Sequence, residues 1–333
     1  MKSFDINIDQ GSLVSLILIL LVFVPMLLCV AFMTIIERKA MGSMQRRIGP
    51  NVVGYYGVLQ PFADALKLVV KEQIIPAQSN KALFFLAPMI SLVFSLLGWA
   101  TIPFGSGMAI TDISLGMLFS LAVSSIGVYG ALFAGWAANS KYAFLGSLRS
   151  TAQMVSYELI FSTCVAAVIL LAGSLNFTTI VEAQTSIWFI VPLFPLFIMY
   201  LISALAELNR TPFDLPEAES ELVSGFMTEH SGMIFVFFYL AEYSGVVLMS
   251  TFSTILFLGG YAFPEILVNE TFINLQSIIL VMKSLIFMFF FVWVRQRYDR
   301  LMIFCWTQLL PMAIAMLVLV PSLLVAFDIP AIN

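Results

Sequence analysis

The chain has 333 residues, of which 61% are hydrophobic and only 10% charged, with 15 Lys and Arg against 19 Asp and Glu. Soluble domains carry roughly 25% charge, so a soluble enzyme is excluded, and apolar runs of about 20 residues suit helices crossing a ~30 Å hydrocarbon core, whereas the alternating segments of a spanning β-barrel do not occur. Three cysteines without a Cys-x-x-Cys pair and a single histidine speak against a disulfide framework, an iron–sulfur cluster, a haem or any metal site.

The fold class expected is all-α, a polytopic membrane protein forming a single membrane domain over 1–333. Eight transmembrane helices are predicted at about 12–36, 83–103, 114–137, 151–172, 187–206, 231–258, 272–293 and 306–327. No internal repeat marks an inverted-repeat transporter. The first run has no small-residue cleavage site after Lys2, Asp5 and Asp9, so it reads as a retained helix. It ends at Glu37-Arg38-Lys39, a basic interfacial anchor preceded by a glutamate that is out of place at an apolar boundary.

A turn-rich basic strip follows, from Gly42 through Gln45-Arg46-Arg47-Ile48-Gly49-Pro50-Asn51 to Gly54. It contains neither phosphate-loop nor dinucleotide spacing, so nucleotide and nucleic-acid binding are not expected. Residues 59–72 predict a short amphipathic helix in this first inner-face loop. Leu59, Phe62, Ala63, Leu66 and Val70 share one face, and Asp64, Lys67 and Lys71 lie elsewhere. Such a helix either lies in the membrane interface or packs on a partner subunit.

Basic residues set the orientation. Thirteen of the fifteen Lys and Arg residues fall in the loops at about 37–82, 138–150, 207–230 and 294–305, which eight alternating spans place on one side. The positive-inside rule makes that side the cytoplasmic or matrix face and puts both termini outside.

Glu158, Glu242 and Lys283 lie within spans. A charge near mid-helix costs of order 2.5–3.5 kcal/mol on insertion scales, so each is expected to face protein or a wet cavity. A salt bridge from Lys283 to an intramembrane glutamate is one expectation. Between spans five and six, residues 206–230 hold Glu207, Asp214, Glu217, Glu219, Glu221 and Glu229, with Arg210 and His230. Asp214-Leu215-Pro216-Glu217 resembles a helix cap, which accounts for part of this acidity. Glu217 and Glu221 are four apart on one face, where like charges repel and titrate as a set. His230 adds a group able to titrate near neutral pH. No nucleophile, base and orienter come together, so no catalytic residue is assigned. A secondary transporter or channel with an acidic pathway fits this composition too.

Three blocks carry a resemblance to a family. They are Glu37-Arg38-Lys39 through Gly57-Val58-Leu59-Gln60-Pro61-Phe62-Ala63-Asp64 to Lys71-Glu72; Asn209-Arg210-Thr211-Pro212-Phe213-Asp214 with Glu219-Ser220-Glu221-Leu222-Val223; and Arg297-Tyr298-Asp299-Arg300-Leu301-Met302 with Trp306 and Leu310-Pro311. In these the chain resembles the respiratory complex I membrane subunit that joins the membrane arm to the peripheral arm, the family of mitochondrial NADH–ubiquinone oxidoreductase chain 1 and its bacterial counterpart. It departs from that pattern in a short linker before Arg297, in His230 where Tyr is common, and in Leu208 where Thr or Ser is usual.

The resemblance implies a quinone tunnel to which Arg38, Arg46, Phe62 and Phe226 contribute. It also implies a proton pathway through Glu158, Glu207, Asp214, Glu217, Glu219, Glu221, Glu229 and Glu242, with Arg149 and Arg210 as structural or charge-balancing neighbours; Lys283 is expected as a structural charge partner from its place within the seventh span. Ubiquinone would be the substrate, and flavin and iron–sulfur clusters would lie in partner subunits. The partners implied are peripheral-arm quinone-module subunits, antiporter-like membrane subunits and membrane lipid. The location would be the mitochondrial inner membrane or a bacterial plasma membrane. A related ferredoxin-linked hydrogenase subunit shares the Glu-Arg-Lys and Pro-Phe-Asp motifs and is the nearest alternative.

Overall fold

A computed structural model describes residues 12–210, 213, 223–263, 275–294 and 301–326. Asp214, Glu217, Glu219 and Glu221, the cap at 214–217 and the stretch 295–300 lie outside the described residues.

In chain order the helices are α1 (Ser12–Met44), α2 (Gln60–Val70), α3 (Lys81–Leu97), α4 (Gly116–Ala138), α5 (Lys141–Ala172), α6 (Phe177–Ala183), α7 (Phe194–Glu207), α8 (Gly232–Phe257), α9 (Gln276–Trp293) and α10 (Leu310–Ala326). A helical turn and a π-helical turn, Leu301–Phe304 and Cys305–Leu309, lead into α10. No strand occurs among the described residues. Seven helical stretches are long and apolar enough to cross a membrane, and α7 is a shorter apolar helix of 14 residues. The chain is a multi-pass membrane protein.

Two expected boundaries differ. The apolar pattern puts the end of the first span near Glu37, but α1 continues to Met44 and carries Glu37-Arg38-Lys39 within its body. The fifth span is helical only from Phe194, where Pro195 fits the first helical turn. At 1.5 Å per residue, 14 residues reach only about 21 Å. Irregular backbone at membrane depth is tolerated where protein buries it and satisfies its polar groups. Here Phe189 N donates to the buried Gln184 Oε1 at 3.5 Å, and Ile190 N donates to Phe257 O at 3.1 Å.

The core gathers on α5, α7 and α8, which hold Tyr157, Ile160, Val165, Leu196, Tyr200, Ile255 and Phe257 out of contact with the surroundings. Around them, α3 packs on α4 and α8, α4 on α5, α9 on α8, and α10 on α5. One close approach depends on glycine. A Cβ on Gly146 would stand 2.7 Å from Gly225 Cα, so only glycine lets the turn at Gly225–Met227 seat against α5 and turn Phe226 inward. In the first inner-face loop α2 lies across α1 and α8 with none of its residues buried. Leu59, Leu66 and Val70, from the face expected to be apolar, are exposed in the isolated chain.

Candidate functional site

Two cavities lie either side of α8. The first, about 350 Å³, is bounded by α1, α2 and α8. Its wall is mostly apolar, from Val30, Ala31, Leu68, Phe235, Val236 and Leu240, with Arg38, Asp64, Tyr239 and Tyr243 supplying polar groups. Arg38 reaches Asp64 at 2.7 Å, and Gln60 holds the other Asp64 oxygen at 2.8 Å. Both members of the ion pair are partly exposed, so its value lies in placing the guanidinium, since such pairs contribute only about 0–1 kcal/mol.

The second cavity, about 200 Å³, lies among α3, α4, α5, α7 and α8. Glu207 and Glu242 line it, with the hydroxyls of Ser91, Ser95, Ser120 and Ser124 along the α3–α4 side. Glu207 is half-buried at the end of α7, and its Oε2, itself shielded from solvent, has no hydrogen-bond partner among the described residues. Glu158 on α5 is close enough to act electrostatically on Glu207 and touches the Ser125 hydroxyl.

Arg210 sits between the cavities. One terminal nitrogen meets Glu37 Oε2 at 2.6 Å, and the other meets Glu242 Oε1 at 3.1 Å. Its guanidinium also covers the Tyr243 ring, 4.5 Å from the centroid. Burial alone lowers the proton affinity of Arg210, but Glu242 and Glu37 more than reverse that, so its charge is held. Tyr243 donates to Glu37 at 2.6 Å, and the Tyr239 hydroxyl lies 3.0 Å from that of Tyr243. A continuous polar chain therefore runs Tyr239–Tyr243–Glu37–Arg210–Glu242, from the wall of the first cavity to the wall of the second.

Local folding explains why Arg210 points there. Asn209 adopts a left-handed conformation, φ 49°, and Phe213 N closes a turn on Arg210 O at 2.7 Å. Buried Gln153 on α5 then staples the bend by donating to Ala206 O at 2.8 Å and Phe213 O at 2.6 Å.

The expected residues divide. Arg38 lines the first cavity and Glu207 and Glu242 line the second, while Arg210 pairs with Glu242 and Glu158 acts electrostatically on Glu207 from outside that lining. Phe226, expected at a quinone tunnel, lines the second cavity, edge-on to Phe238 with ring centroids 5.5 Å apart. Phe62 packs on Phe32 outside the lining of the first cavity. Arg46 is exposed beyond α1, Arg149 is exposed on α5, and Glu229 is half-buried outside both cavities.

Lys283 makes no ion pair among the described residues, so the expected bridge to a glutamate is not formed. Its ammonium donates instead to the carbonyls of Leu258, Gly260 and Ala262, at 2.7, 2.9 and 2.7 Å. The reason is location, because these carbonyls follow the C-terminal end of α8, far along that helix from Glu242. His230 does not titrate near neutrality. Stacked on Phe84 at 4.1 Å, it is buried and pushed down to about 4. Neither ring nitrogen meets hydrogen-bond geometry, and a weak approach to the Ala134 backbone does not offset desolvation.

Glu37, Asp64, Tyr239, Tyr243, Gln153 and Ser125 were not singled out as site residues from the sequence. The signal for Glu37 was its odd place at an apolar boundary. Ser125 gave none, since serines within spans ordinarily bond their own helix, and nothing along the chain marks which partner the Tyr243 hydroxyl meets.

The chain matches the model of the NADH dehydrogenase family over residues 17–321. It is 70% identical over 324 residues to NADH-ubiquinone oxidoreductase chain 1 of Mycosarcoma maydis, covering 95% of this chain and 98% of that one. It is 52% identical to the chain 1 protein of Podospora anserina, covering 96% and 98%. With the corresponding NADH-quinone oxidoreductase subunit of Rhodospirillum centenum identity is 50%, covering 97% and 98%. Seven membrane-length helices, the Glu-Arg-Lys block and the Arg210 turn thus accompany similarity along nearly the whole sequence: the chain belongs to the NADH dehydrogenase family of complex I chain 1 and its bacterial counterparts, membrane subunits of the proton-translocating NADH:ubiquinone oxidoreductase.

Proposed function

We propose that this subunit forms part of the quinone site and couples quinone reduction to proton movement through its buried carboxylates. Ubiquinone enters the cavity between α1, α2 and α8, where an apolar wall suits its ring and tail and the Arg38–Asp64 pair offers hydrogen bonds. Electrons arrive from flavin and iron–sulfur clusters held by partner subunits of the peripheral arm. The antiporter-like subunits of the membrane arm receive the output, in the mitochondrial inner membrane.

The observation that carries this reading is Arg210, held at 2.6 Å from Glu37 and 3.1 Å from Glu242. A fixed cation shared by two carboxylates favours whichever is ionised. When a charge change at the first cavity alters Glu37 through Tyr243, Arg210 leans toward one partner and away from the other. At an effective dielectric near 20, unit charges about 4 Å apart interact by about 4 kcal/mol, enough to redistribute protons. Glu242 passes the change to Glu207 and Glu158 around the second cavity. Asp214, Glu217, Glu219, Glu221 and Glu229 extend the acidic path, and Arg149 balances charge nearby.

The test uses the intact complex in proteoliposomes. Glu207→Gln or Glu158→Gln is expected to lower the protons moved per quinone reduced while the complex still assembles. Full quinone reduction with undiminished proton movement in both variants overturns the reading.

A further inference from the structure

Ser120, Ser124 and Ser125 of α4 all turn their hydroxyls back on their own helix, and one of them does something more. Ser120 donates to Met117 O at 2.8 Å, while Ser124 and Ser125 each lie 2.9 Å from the same carbonyl, Leu121 O. The Ser125 oxygen also touches Oε1 of Glu158 across on α5. A serine hydroxyl has one proton to donate and two lone pairs to accept with, and a carbonyl only accepts. Ser125 therefore cannot donate to Leu121 and Glu158 at once.

We propose that Ser125 is a positioning residue for Glu158, its hydroxyl turning between the Glu158 carboxyl and the Leu121 carbonyl as that glutamate loses and gains a proton. With Glu158 ionised, the Ser125 proton points to the carboxylate, and Leu121 O keeps the proton of Ser124. With Glu158 protonated, the acid donates to the Ser125 oxygen, and the Ser125 proton swings to Leu121 O. In each state the part-buried contact across the helices holds one proton and no polar atom of it is stranded, which is the condition under which a group shielded from water changes charge at low cost. The shared carbonyl permits this, because Ser124 keeps it paired when Ser125 turns away.

Ser124 lines the second cavity with Glu207 and Glu242, so the serine pair joins Glu158 to that cavity. Among the described residues, Glu207 on α7 is an ionisable group that interacts with Glu158. From the α10 side, Cys305 and Trp306 engage Ser156 and not Glu158. The proposal rests on Glu158 carrying protons, as argued above.

The experiment compares the intact complex bearing Ser125→Ala, Ser125→Thr, Ser125→Cys or Glu158→Gln. It reads the rate of proton movement coupled to quinone reduction and the redox-difference infrared band of the Glu158 carboxyl, assigned by its loss in Glu158→Gln. Ser125→Ala is expected to shift that band and slow coupled proton movement about tenfold, the effect of one hydrogen bond to a charged group. Ser125→Thr keeps a hydroxyl and restores both. Should the alanine variant not assemble, Ser125→Cys, isosteric but a weak donor, is expected to show a smaller shift and loss. A parent-like band and rate in Ser125→Ala, or in Ser125→Cys where alanine does not assemble, overturns the proposal while a defective Glu158→Gln leaves the proton path standing. Undiminished proton movement in Glu158→Gln removes Glu158 from the path and this role with it.

Discussion

Arg210 carries its charge where little water reaches it, between two carboxylates from helices α1 and α8. Breaking such a group by removing one member leaves uncompensated buried charge and costs about 3–5 kcal/mol. Arg210→Met is expected to lower the thermal-inactivation midpoint of the detergent-solubilised complex accordingly. Adding Glu242→Gln to that variant should recover part of the loss, since one stranded carboxylate is then neutral. His230 is the opposite kind of buried group, kept neutral between Phe84 and Phe238. Its folded-state value of about 4 lies below the ordinary 6.5, so the unfolded chain takes up a proton first as pH falls. The stability this neutral ring retains is fully present above about pH 6.5 and is lost as pH drops toward 4, by up to about 3 kcal/mol. His230→Phe should flatten that part of the pH–stability profile, which thermal inactivation measured across the range would reveal.

Lys283 acts at the scale of the element. A lysine from α9 closes the end of α8 by taking three carbonyls of the following turn, and it lies over the rings of Trp188 and Phe263 at 5.1 and 5.0 Å. Lys283→Met leaves those carbonyls without their donor. It is expected to cost about 2–4 kcal/mol and to speed amide exchange around 258–262, with protons moved per quinone unchanged in the complex that remains. An altered stoichiometry would instead tie this end of α8 to coupling. The short helix α2 behaves differently, because its ionic link to α1 is the part-exposed Arg38–Asp64 pair. Asp64→Asn should change stability by under about 1 kcal/mol yet raise the KM for quinone, as Arg38 loses its fixed position on the cavity wall.

Across the whole molecule, the features legible in the sequence were those with a local signature. Hydropathy and the clustering of Lys and Arg on alternate loops reported a helical membrane protein with eight apolar segments, and a 3–4 spacing marked α2. The cost of placing Glu158 and Glu242 in a membrane singled them out before any fold was known. Local pattern also misled in definite places. The fifth span reads as continuous helix because its irregular half is as apolar as the rest, and the first reads as ending near Glu37 because charge interrupts the apolar run, although α1 continues to Met44. Glu37 and Tyr243, whose hydrogen bond joins residues 206 positions apart, meet only because α1 packs on α8. Composition, span number and the identity of the acids follow from the order of residues alone, since each depends on a residue and its neighbours along the chain. Tertiary packing alone decided that Arg210 pairs Glu37 with Glu242, that Lys283 answers carbonyls and not a carboxylate, and that Ser125 reaches Glu158, because such partners are chosen by which helix faces come together.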